Sequence, residues 1–318
     1  LLIGGATTSK IHTAVKIDPN YDGAVVYVTD ASRSVNVVSS LLKNGELKTE
    51  TKDTYGKLRH NYEQSRQEIK LLSLSQAQAN KTGIDWEQGP SPTPLKPQRQ
   101  IITPPLTELI KTIDWSPFFA TWEMKGKYPS ILKDPDKGTE AQKLFDDAQA
   151  LLKNLTDEKI IQAKGVVGMY PANAIGDDVE IYADTERHGL LATAYFLRQQ
   201  SPKSQGQPNA CLADYIAPKS SGHIDWMGAF AVTAGLGLAD FVQEQKDQGD
   251  DYTAIMAQAL ADRLAESFAE WLHLKVRKEL WGYAATEDFN NQELIQEVYQ
   301  GIRPAPGYPA CPEHSQKD

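Results

Sequence analysis

The clearest pattern in this sequence is a repeat of apolar side chains every four residues between Thr253 and Leu280. The repeat consists of Met256, Leu260, Leu264, Phe268 and Leu272, and it is widened by Ile255, Ala259 and Trp271. This spacing places the apolar residues on one face, so it predicts a long helix that packs in a core. Basic residues near its end, including His273 and Arg277, complement the helix dipole.

Shorter patterns around this helix predict a mixture of helices and strands. A second amphipathic pattern predicts a helix over Thr139–Asn154, and a short helix is predicted over Thr107–Ile113. Apolar runs predict strands over Val166–Tyr170, Asp178–Tyr182, Cys211–Ile216 and Met227–Thr233, with a turn over Pro171–Asp177 between the first two. No regular β-α-β period connects them. The predicted fold class is therefore α+β, with a mainly antiparallel sheet and helices.

The first 45 residues have a different rhythm. Strand, helix, strand and helix are predicted over Leu1–Ile3, about Ser9–Ile17, Ala24–Val28 and Arg33–Leu42. This order is typical of the last βα units of a parallel α/β domain, and alone it is too small to bury both faces of such a sheet. Because the sequence opens on an apolar run without Met, we interpret it as a fragment whose natural chain continues upstream.

Residues 46–105 are predicted to connect two domains. The stretch Lys48–Ile69 is rich in charged and polar residues and predicts an exposed helix. It is followed by Gly89–Pro97, where four of nine residues are prolines, which cannot form a helix and favour an extended linker. The predicted division is therefore 1–45 for the α/β part, 46–105 for the connector and 106–318 for the α+β domain.

Composition excludes several classes of protein. With 318 residues and 40 % hydrophobic content, the chain can build a core. Its 33 Lys and Arg against 42 Asp and Glu give a net charge of −9, which argues against nucleic acid as a partner. No apolar stretch reaches the roughly 20 residues of a membrane-spanning helix. Cys211 and Cys311 stand far apart without a disulfide pattern, so a reducing cytoplasm is the expected location.

Common catalytic and cofactor motifs are missing from the sequence. It contains no GxGxxG, Walker or GxSxG pattern, and its six histidines form no metal-binding spacing. We therefore predict neither catalytic residues nor metal ligands. Gly4 and Gly5, followed by hydroxyl residues, stand between a predicted strand and helix. They form either a capped tight turn or a place where a nucleotide tail approaches the backbone.

The segment Gly301–His314 has the most unusual composition, with prolines at 304, 306, 309 and 312. Two interpretations remain open. It is either a rigid surface loop or a stiff, extended strip whose uncommitted backbone groups bind the edge of a purine. In the second case, Arg303 can hold a carboxylate through two parallel hydrogen bonds, and the ring of Tyr308 can pack on a base or a ribose.

The run Gln300–His314, QGIRPAPGYPACPEH, resembles the activation-domain signature of the cobalamin-dependent (vitamin B12) methionine synthases. Further segments resemble this family in the same order: Ile113–Phe119 (IDWSPFF), Gly126–Pro129 (GKYP), Gly165–Gly168 (GVVG), Ala261–Glu266 (ADRLAE) and Trp281–Tyr283 (WGY). The N-terminal Leu2–Ser9 (LIGGATTS), Val26–Val28 and Ala31–Arg33 are similar to the end of the family's cobalamin-binding domain. The resemblance thus spans nearly the whole chain.

The resemblance implies a site for S-adenosylmethionine. Arg303 would bind its carboxylate, Asp114 its α-amino group, and the backbone around Ala305 with Tyr308 its adenosyl end. These roles suit a zwitterionic amino acid, which needs a cation and a carboxylate on separate segments. Glu266 would be a further polar contact, unless it is an ordinary carboxylate on a helix surface.

The resemblance also implies a cobalamin pocket, with Gly4, Gly5 and Ala31 lining the space for the nucleotide tail. The family's cobalt-ligating histidine motif is not in this sequence, and neither are its zinc, homocysteine and folate modules. Family members also continue past the CPEH motif, so the activation domain is expected to be C-terminally incomplete.

The implied reaction of the whole protein is methyl transfer from methyltetrahydrofolate to homocysteine via cobalamin, which makes it a methyltransferase of methionine biosynthesis. The implied task of this part is reductive remethylation of cob(II)alamin by S-adenosylmethionine, with an electron from a flavodoxin-like donor and with the cobalamin-binding domain of the same polypeptide as partner. We expect the fragment alone not to be a complete catalyst. Two alternatives remain: a stand-alone reductive activator of another corrinoid protein, and a degenerate domain that only binds.

Overall fold

The computed structural model describes residues 1–3, 9–28, 37–41, 46–65, 71–87, 89–90 and 92–305. The chain forms two compact units, Leu1–Leu72 and Ser73–Asp318. The boundary between them falls inside the predicted connector. The division into 1–45, 46–105 and 106–318 stays a prediction.

The first unit contains a small parallel sheet. Strand β1 (Leu2–Ile3) pairs in parallel with β2 (Val26–Tyr27). Between them lie the helix Lys10–His12, a π-helical turn over Thr13–Ile17 and a 3₁₀ turn over Asp18–Asn20. Residues 37–41 are helical, within the last predicted helix of this region. The parallel pairing confirms the predicted α/β character.

The helix Glu46–Ser65 also belongs to the first unit. Its Tyr55 is buried, and the Tyr55 hydroxyl accepts a hydrogen bond of 2.8 Å from the backbone N–H of Tyr27. Nη1 of Arg59 donates to Oδ2 of Asp18 at 2.6 Å and to the carbonyl of Ala14 at 2.8 Å. One buried ring and one ion pair therefore hold a largely polar helix against β2 and the turns that precede it.

The second unit is built on an antiparallel sheet. Its strands are β3 (Gln100–Ile102), β4 (Gln162–Ile175), β5 (Asp178–Tyr182), β6 (Leu190–Tyr195) and β7 (Asp225–Leu236). Strand β4 pairs with β7 on one side and with β3 and then β5 on the other, while β6 pairs with β5. Each of these pairings is antiparallel, which confirms the predicted α+β class.

Two local predictions were wrong in detail. Strand β4 continues through Pro171 to Ile175, where a turn had been predicted. Pro171 stands just before β4 begins to pair with β5, beyond the residues that pair with β3, so its missing N–H is tolerated. The run Cys211–Ile216 is not a strand, because Asp214 accepts a hydrogen bond from the Cys211 N–H and closes a 3₁₀ turn over Leu212–Tyr215.

The helices of the second unit pack on one another and on this sheet. They are Leu74–Ala79, Leu106–Ile110, Ser116–Thr121, Gly138–Asp157, Leu238–Asp247, Asp251–Lys275 and Asn291–Ile295. Asp251–Lys275, called the long helix below, continues into a π-helical turn over Val276–Leu280. A Cβ atom on Gly165 of β4 would lie 2.9 Å from Cζ of Phe268. Glycine at this position therefore allows the long helix to approach the sheet closely.

The proline-rich segment, where described, is hydrogen-bonded to other parts of the second unit, to which it belongs. The backbone N–H groups of Leu95 and Lys96 donate to the carbonyls of Trp281 and Leu280, and Met169 of β4 donates to the carbonyl of Pro97. The segment is thus fixed at the end of the π-helical turn that follows the long helix. Across the described part of the chain, none of the helices combines the length and apolar character needed to cross a membrane.

Candidate ligand-binding site

The site is centred on an ion pair between Arg303 and Glu270. Nη2 of Arg303 donates to Oε2 of Glu270 at 2.9 Å. Glu270 lies in the long helix and is 8 % exposed. Its second oxygen, Oε1, and Nε of Arg303 are buried without a hydrogen-bond partner among the described residues. Buried polar atoms of this kind are unusual in a purely structural ion pair.

Burial and charge act together on this pair. Burial raises the pKa of Glu270, while the charges of Arg303 and Arg277 oppose that shift. For Arg303, burial is the largest single effect and works against the charged form, but Glu270, Tyr299 and Glu266 together outweigh it, and the pKa rises above its ordinary value. The guanidinium therefore keeps its positive charge at the edge of the core.

Glu266 stands one helical turn before Glu270 and on the outer side of the same pair. Its Oε1 lies 3.9 Å from Nη1 of Arg303, and its side chain is 61 % exposed. The structure thus brings two residues of the predicted site, Arg303 and Glu266, into one cluster. It adds Glu270 as the closer carboxylate, which the sequence analysis missed.

Asp114 lies on a segment that contacts the same part of the long helix. Its Oδ1 accepts a hydrogen bond of 3.0 Å from the N–H of Ser116, at the start of the helix Ser116–Thr121. Two residues before Asp114, the Thr112 hydroxyl lies 2.7 Å from the hydroxyl of Ser267. Ser267 also donates to the carbonyl of Leu109 at 2.5 Å. These hydrogen bonds fix the residues just before Asp114 to the long helix at Ser267, the residue that follows Glu266.

A second layer of polar side chains continues along the buried face of the long helix. Nδ1 of His273 lies 2.7 Å from Nη1 of Arg277, and Nη2 of Arg277 pairs with Oε1 of Glu287 at 2.6 Å. The ring of Tyr299 packs edge-on against His273, and its hydroxyl is buried without a partner among the described residues. Burial raises the pKa of Tyr299. The contact between Tyr299 and His273 thus holds the segment that leads to Arg303 against the long helix.

The sequence does contain a pattern that predicts this layer, although the regular apolar stripe on the same helix is more prominent. Ser267, Glu270, His273 and Arg277 follow one another at intervals of three, three and four residues, which is the spacing of a second stripe on the same helix. His273 and Arg277 had been interpreted as complements to the helix dipole. Both are buried, and burial followed by the charges of Arg277 and Arg303 lowers the pKa of His273 to about 3.

Five predicted contacts lie at the margin of the site or outside the described residues. Ala305 is described and exposed, two residues beyond Arg303. Tyr308, Gly4, Gly5 and Ala31 lie outside the described residues. The predicted roles of these residues toward the adenosyl group and the cobalamin tail therefore stay predictions.

Two cavities elsewhere in the second unit contain none of these groups. One, of about 650 Å³, lies along the first turns of the helix Gly138–Asp157, and the other, of about 640 Å³, lies between Trp86 and Ile216. Neither is lined by Asp114, Glu266 or Arg303.

A loop after β5 also brings together three groups that could ligate a metal. One ligand atom from each of Asp184, Glu186 and His188 lies within 4.8 Å of the others. Glu186 and His188 are exposed, and the imidazole is 3.8 Å from the Asp184 carboxylate. Exposed groups of this kind are common on protein surfaces, so we assign no metal site here.

The fold and the charged cluster together define an α+β domain with an antiparallel sheet and a buried ion pair at one long helix. The family described as vitamin B12 dependent methionine synthase, activation domain, matches residues 105–318, and the chain belongs to this family. The chain is also similar to a solved structure of the MetH reactivation domain bound to AdoHcy, with 50 % sequence identity and a TM-score of 0.74. That match covers 78 % of this chain and 76 % of the other. The family resemblance is thereby confirmed.

Proposed function

We propose that this chain binds S-adenosylmethionine and that the Arg303 guanidinium receives the ligand's carboxylate. The observation that carries the proposal is the cluster of Arg303 with Glu270 and Glu266 of the long helix, to which the residues just before Asp114 are bound through Ser267. Further support comes from the similar MetH structure, which is bound to AdoHcy. AdoHcy has the same amino-acid and adenosyl groups as S-adenosylmethionine and lacks only the transferable methyl group.

The chemistry of the described groups fits an amino-acid ligand. A guanidinium presents five N–H donors, and Glu270 occupies one of them, which leaves donors for a carboxylate. Asp114 supplies a negative charge for the α-ammonium group from a different segment. Carboxylate and ammonium are then bound by opposite charges held apart, which selects an α-amino acid over a plain acid or amine.

In the proposed function, S-adenosylmethionine supplies a methyl group that is returned to cobalamin after oxidative inactivation. This chain's own residues bind and orient the amino-acid end, and the chemistry belongs to the cofactors. The electron would come from a flavodoxin-like donor, and the cobalamin-binding domain of the same polypeptide would be the partner. Homocysteine and methyltetrahydrofolate would bind to other modules of the synthase.

Isothermal titration of S-adenosylmethionine into the 318-residue chain and its Arg303→Ala variant tests the proposal. Loss of a charge-assisted pair costs about 1.5–3 kcal/mol, so we expect affinity to fall roughly 10- to 100-fold. Lys153→Ala removes an exposed cation from the helix Gly138–Asp157 and is the matched control, with unchanged affinity. Equal affinity in the wild type and Arg303→Ala would contradict the assigned carboxylate contact. Wild-type protein that binds nothing would favour a degenerate domain.

A further inference from the structure

We propose that Glu270 is a positioning residue that orients the Arg303 guanidinium for the carboxylate of the ligand. The inference rests on the proposed function, because it concerns the same site. It assigns a role to a residue that makes no contact with the ligand itself and acts through Arg303.

The two terminal nitrogens of Arg303 have different surroundings. Nη2 is hydrogen-bonded to the buried Glu270 at 2.9 Å, whereas Nη1 lies 3.9 Å from the exposed Glu266. The Arg303 side chain is 17 % exposed and the Glu270 side chain 10 %. The inner side of the guanidinium is therefore fixed by the helix, and its outer side borders solvent, where a ligand carboxylate can approach.

Glu270 is itself held in place. It lies within the 25-residue long helix, and the residues directly before it in the chain, Phe268 and Ala269, are buried as well. An arginine side chain has many rotamers, and ordering it on binding weakens affinity. A rigid partner that orders Arg303 before the ligand arrives removes much of that cost.

Charge balance explains how a carboxylate can assist a site that binds another carboxylate. Arg277 and Arg303 both act on Glu270, and Arg277 is itself paired with Glu287. Within these four groups, the two positive charges balance the two negative ones, while Glu266 at the outer edge of the pair and Glu297 add further negative charge. Glu270 therefore sets the direction of Arg303 while the second arginine limits its repulsion of the incoming carboxylate.

The test uses two substitutions and two ligands in the 318-residue chain. Glu270→Met keeps the length of the side chain but removes the acceptor, and Glu270→Gln keeps an oxygen that accepts from Nη2. Each variant is titrated with S-adenosylmethionine and with decarboxylated S-adenosylmethionine. We expect Glu270→Met to weaken S-adenosylmethionine binding about tenfold or more, and Glu270→Gln to restore most of it. Binding of the decarboxylated ligand should change less than about twofold in either variant, because it lacks the group that Arg303 holds.

Glu279→Gln is the matched control. It neutralises an exposed glutamate that lies just beyond the long helix and forms an ion pair with Lys275. In an Arg303→Ala background, Glu270→Met should cause no further loss of affinity. Equal weakening for both ligands would assign Glu270 a merely structural role and overturn the inference, as would wild-type affinity in Glu270→Met. If Glu270→Met does not fold, Glu270→Asp replaces it, because the shorter side chain keeps the charge but withdraws the acceptor from Nη2; it should weaken only the binding of S-adenosylmethionine, and wild-type affinity in this variant would overturn the inference. Failure of the proposed function would appear separately, as wild-type affinity in Arg303→Ala.

Discussion

The guanidinium carbon of Arg277 lies 3.8 Å from the centre of the Tyr299 ring. The same arginine is fully buried, and its Nε and Nη2 form two hydrogen bonds with the Glu287 carboxylate. A buried cation is thus satisfied by an aromatic face and by a carboxylate. Because Tyr299 stands four residues before Arg303, this contact ties the polar layer of the long helix to the chain that carries the site.

Removal of Glu287 is expected to destabilise the second unit strongly. Glu287→Ala leaves the Arg277 charge buried and unpaired, which typically costs about 3–5 kcal/mol. Urea unfolding followed by circular dichroism measures the change. Glu279→Ala breaks the exposed pair with Lys275 and should cost less than about 1 kcal/mol. Similar losses in the two variants would show that the buried pair carries no special weight.

His273 should make stability depend on pH below neutrality. Its pKa is lowered to about 3 in the folded chain, whereas the unfolded chain takes up a proton below the ordinary value of 6.5. The unfolded state therefore binds more protons between these values, and the free energy of unfolding falls as pH decreases. From pH 7 to pH 5 we expect this residue to account for a loss of about 2 kcal/mol.

His273→Gln should remove that part of the pH dependence, measured as the free energy of unfolding in urea at the two pH values. The control is His188→Gln, which replaces an exposed histidine on the loop after β5. It should retain the wild-type difference between pH 7 and pH 5. An unchanged difference in His273→Gln would show that the buried imidazole is not the titrating group.

Gly165→Ala should destabilise the second unit by overpacking. The new Cβ would lie 2.9 Å from Cζ of Phe268, and overpacking of this kind costs about 1–3 kcal/mol. In a Phe268→Leu background, Gly165→Ala should lower the stability by less, because leucine lacks the Cζ atom that the new Cβ would meet. Gly83→Ala is the control, since a Cβ there meets nothing within 4 Å. Thermal unfolding of the wild type, the three single variants and the double variant measures both effects, and a harmless Gly165→Ala would contradict the close approach.

Ser267→Ala should affect both stability and ligand affinity. It removes a buried hydrogen bond to the Leu109 carbonyl and the contact with Thr112, for which we expect a loss of about 1 kcal/mol. Because the Asp114 segment is fixed through this serine, affinity for S-adenosylmethionine should fall a few-fold, roughly 2- to 10-fold by titration calorimetry. Thr156→Ala, which removes a hydroxyl bonded within its own helix, should leave affinity unchanged.

The sequence predicted the long helix well because its apolar stripe is regular. The predicted Thr253–Leu280 corresponds to Asp251–Lys275 and the π-helical turn that follows. Strand β7 was also predicted, though the predicted Met227–Thr233 is shorter than the observed Asp225–Leu236. In both cases local periodicity determines the element. The Cys211 turn was missed because the hydrogen bonds of Asp214 hold it, and hydrogen-bond partners do not appear in a hydropathy pattern.

The site was predicted only in part for a related reason. Arg303 and Glu266 were identified through a resemblance, and the structure places them 3.9 Å apart. Glu270 was not identified, because a carboxylate in an amphipathic helix is expected to face solvent when its distant partner is not known. That partner, Arg303, is 33 residues further along the chain. Pairings of this range depend on tertiary packing, which periodicity does not encode.

The polar stripe on the long helix has a consequence for how the site can vary. Ser267 and Glu270 are separated by three residues, hence by about 4.5 Å along the axis, and His273 follows after the same interval. The helix thus fixes the spacing between the contact of Ser267 with Thr112, the pair of Glu270 with Arg303, and the polar layer that begins at His273. Insertion of one residue between Ser267 and Arg277 would turn every later position by about 100° and separate these contacts at once. Substitution of a single residue can alter one contact of this site, whereas a change in helix length disrupts all of them.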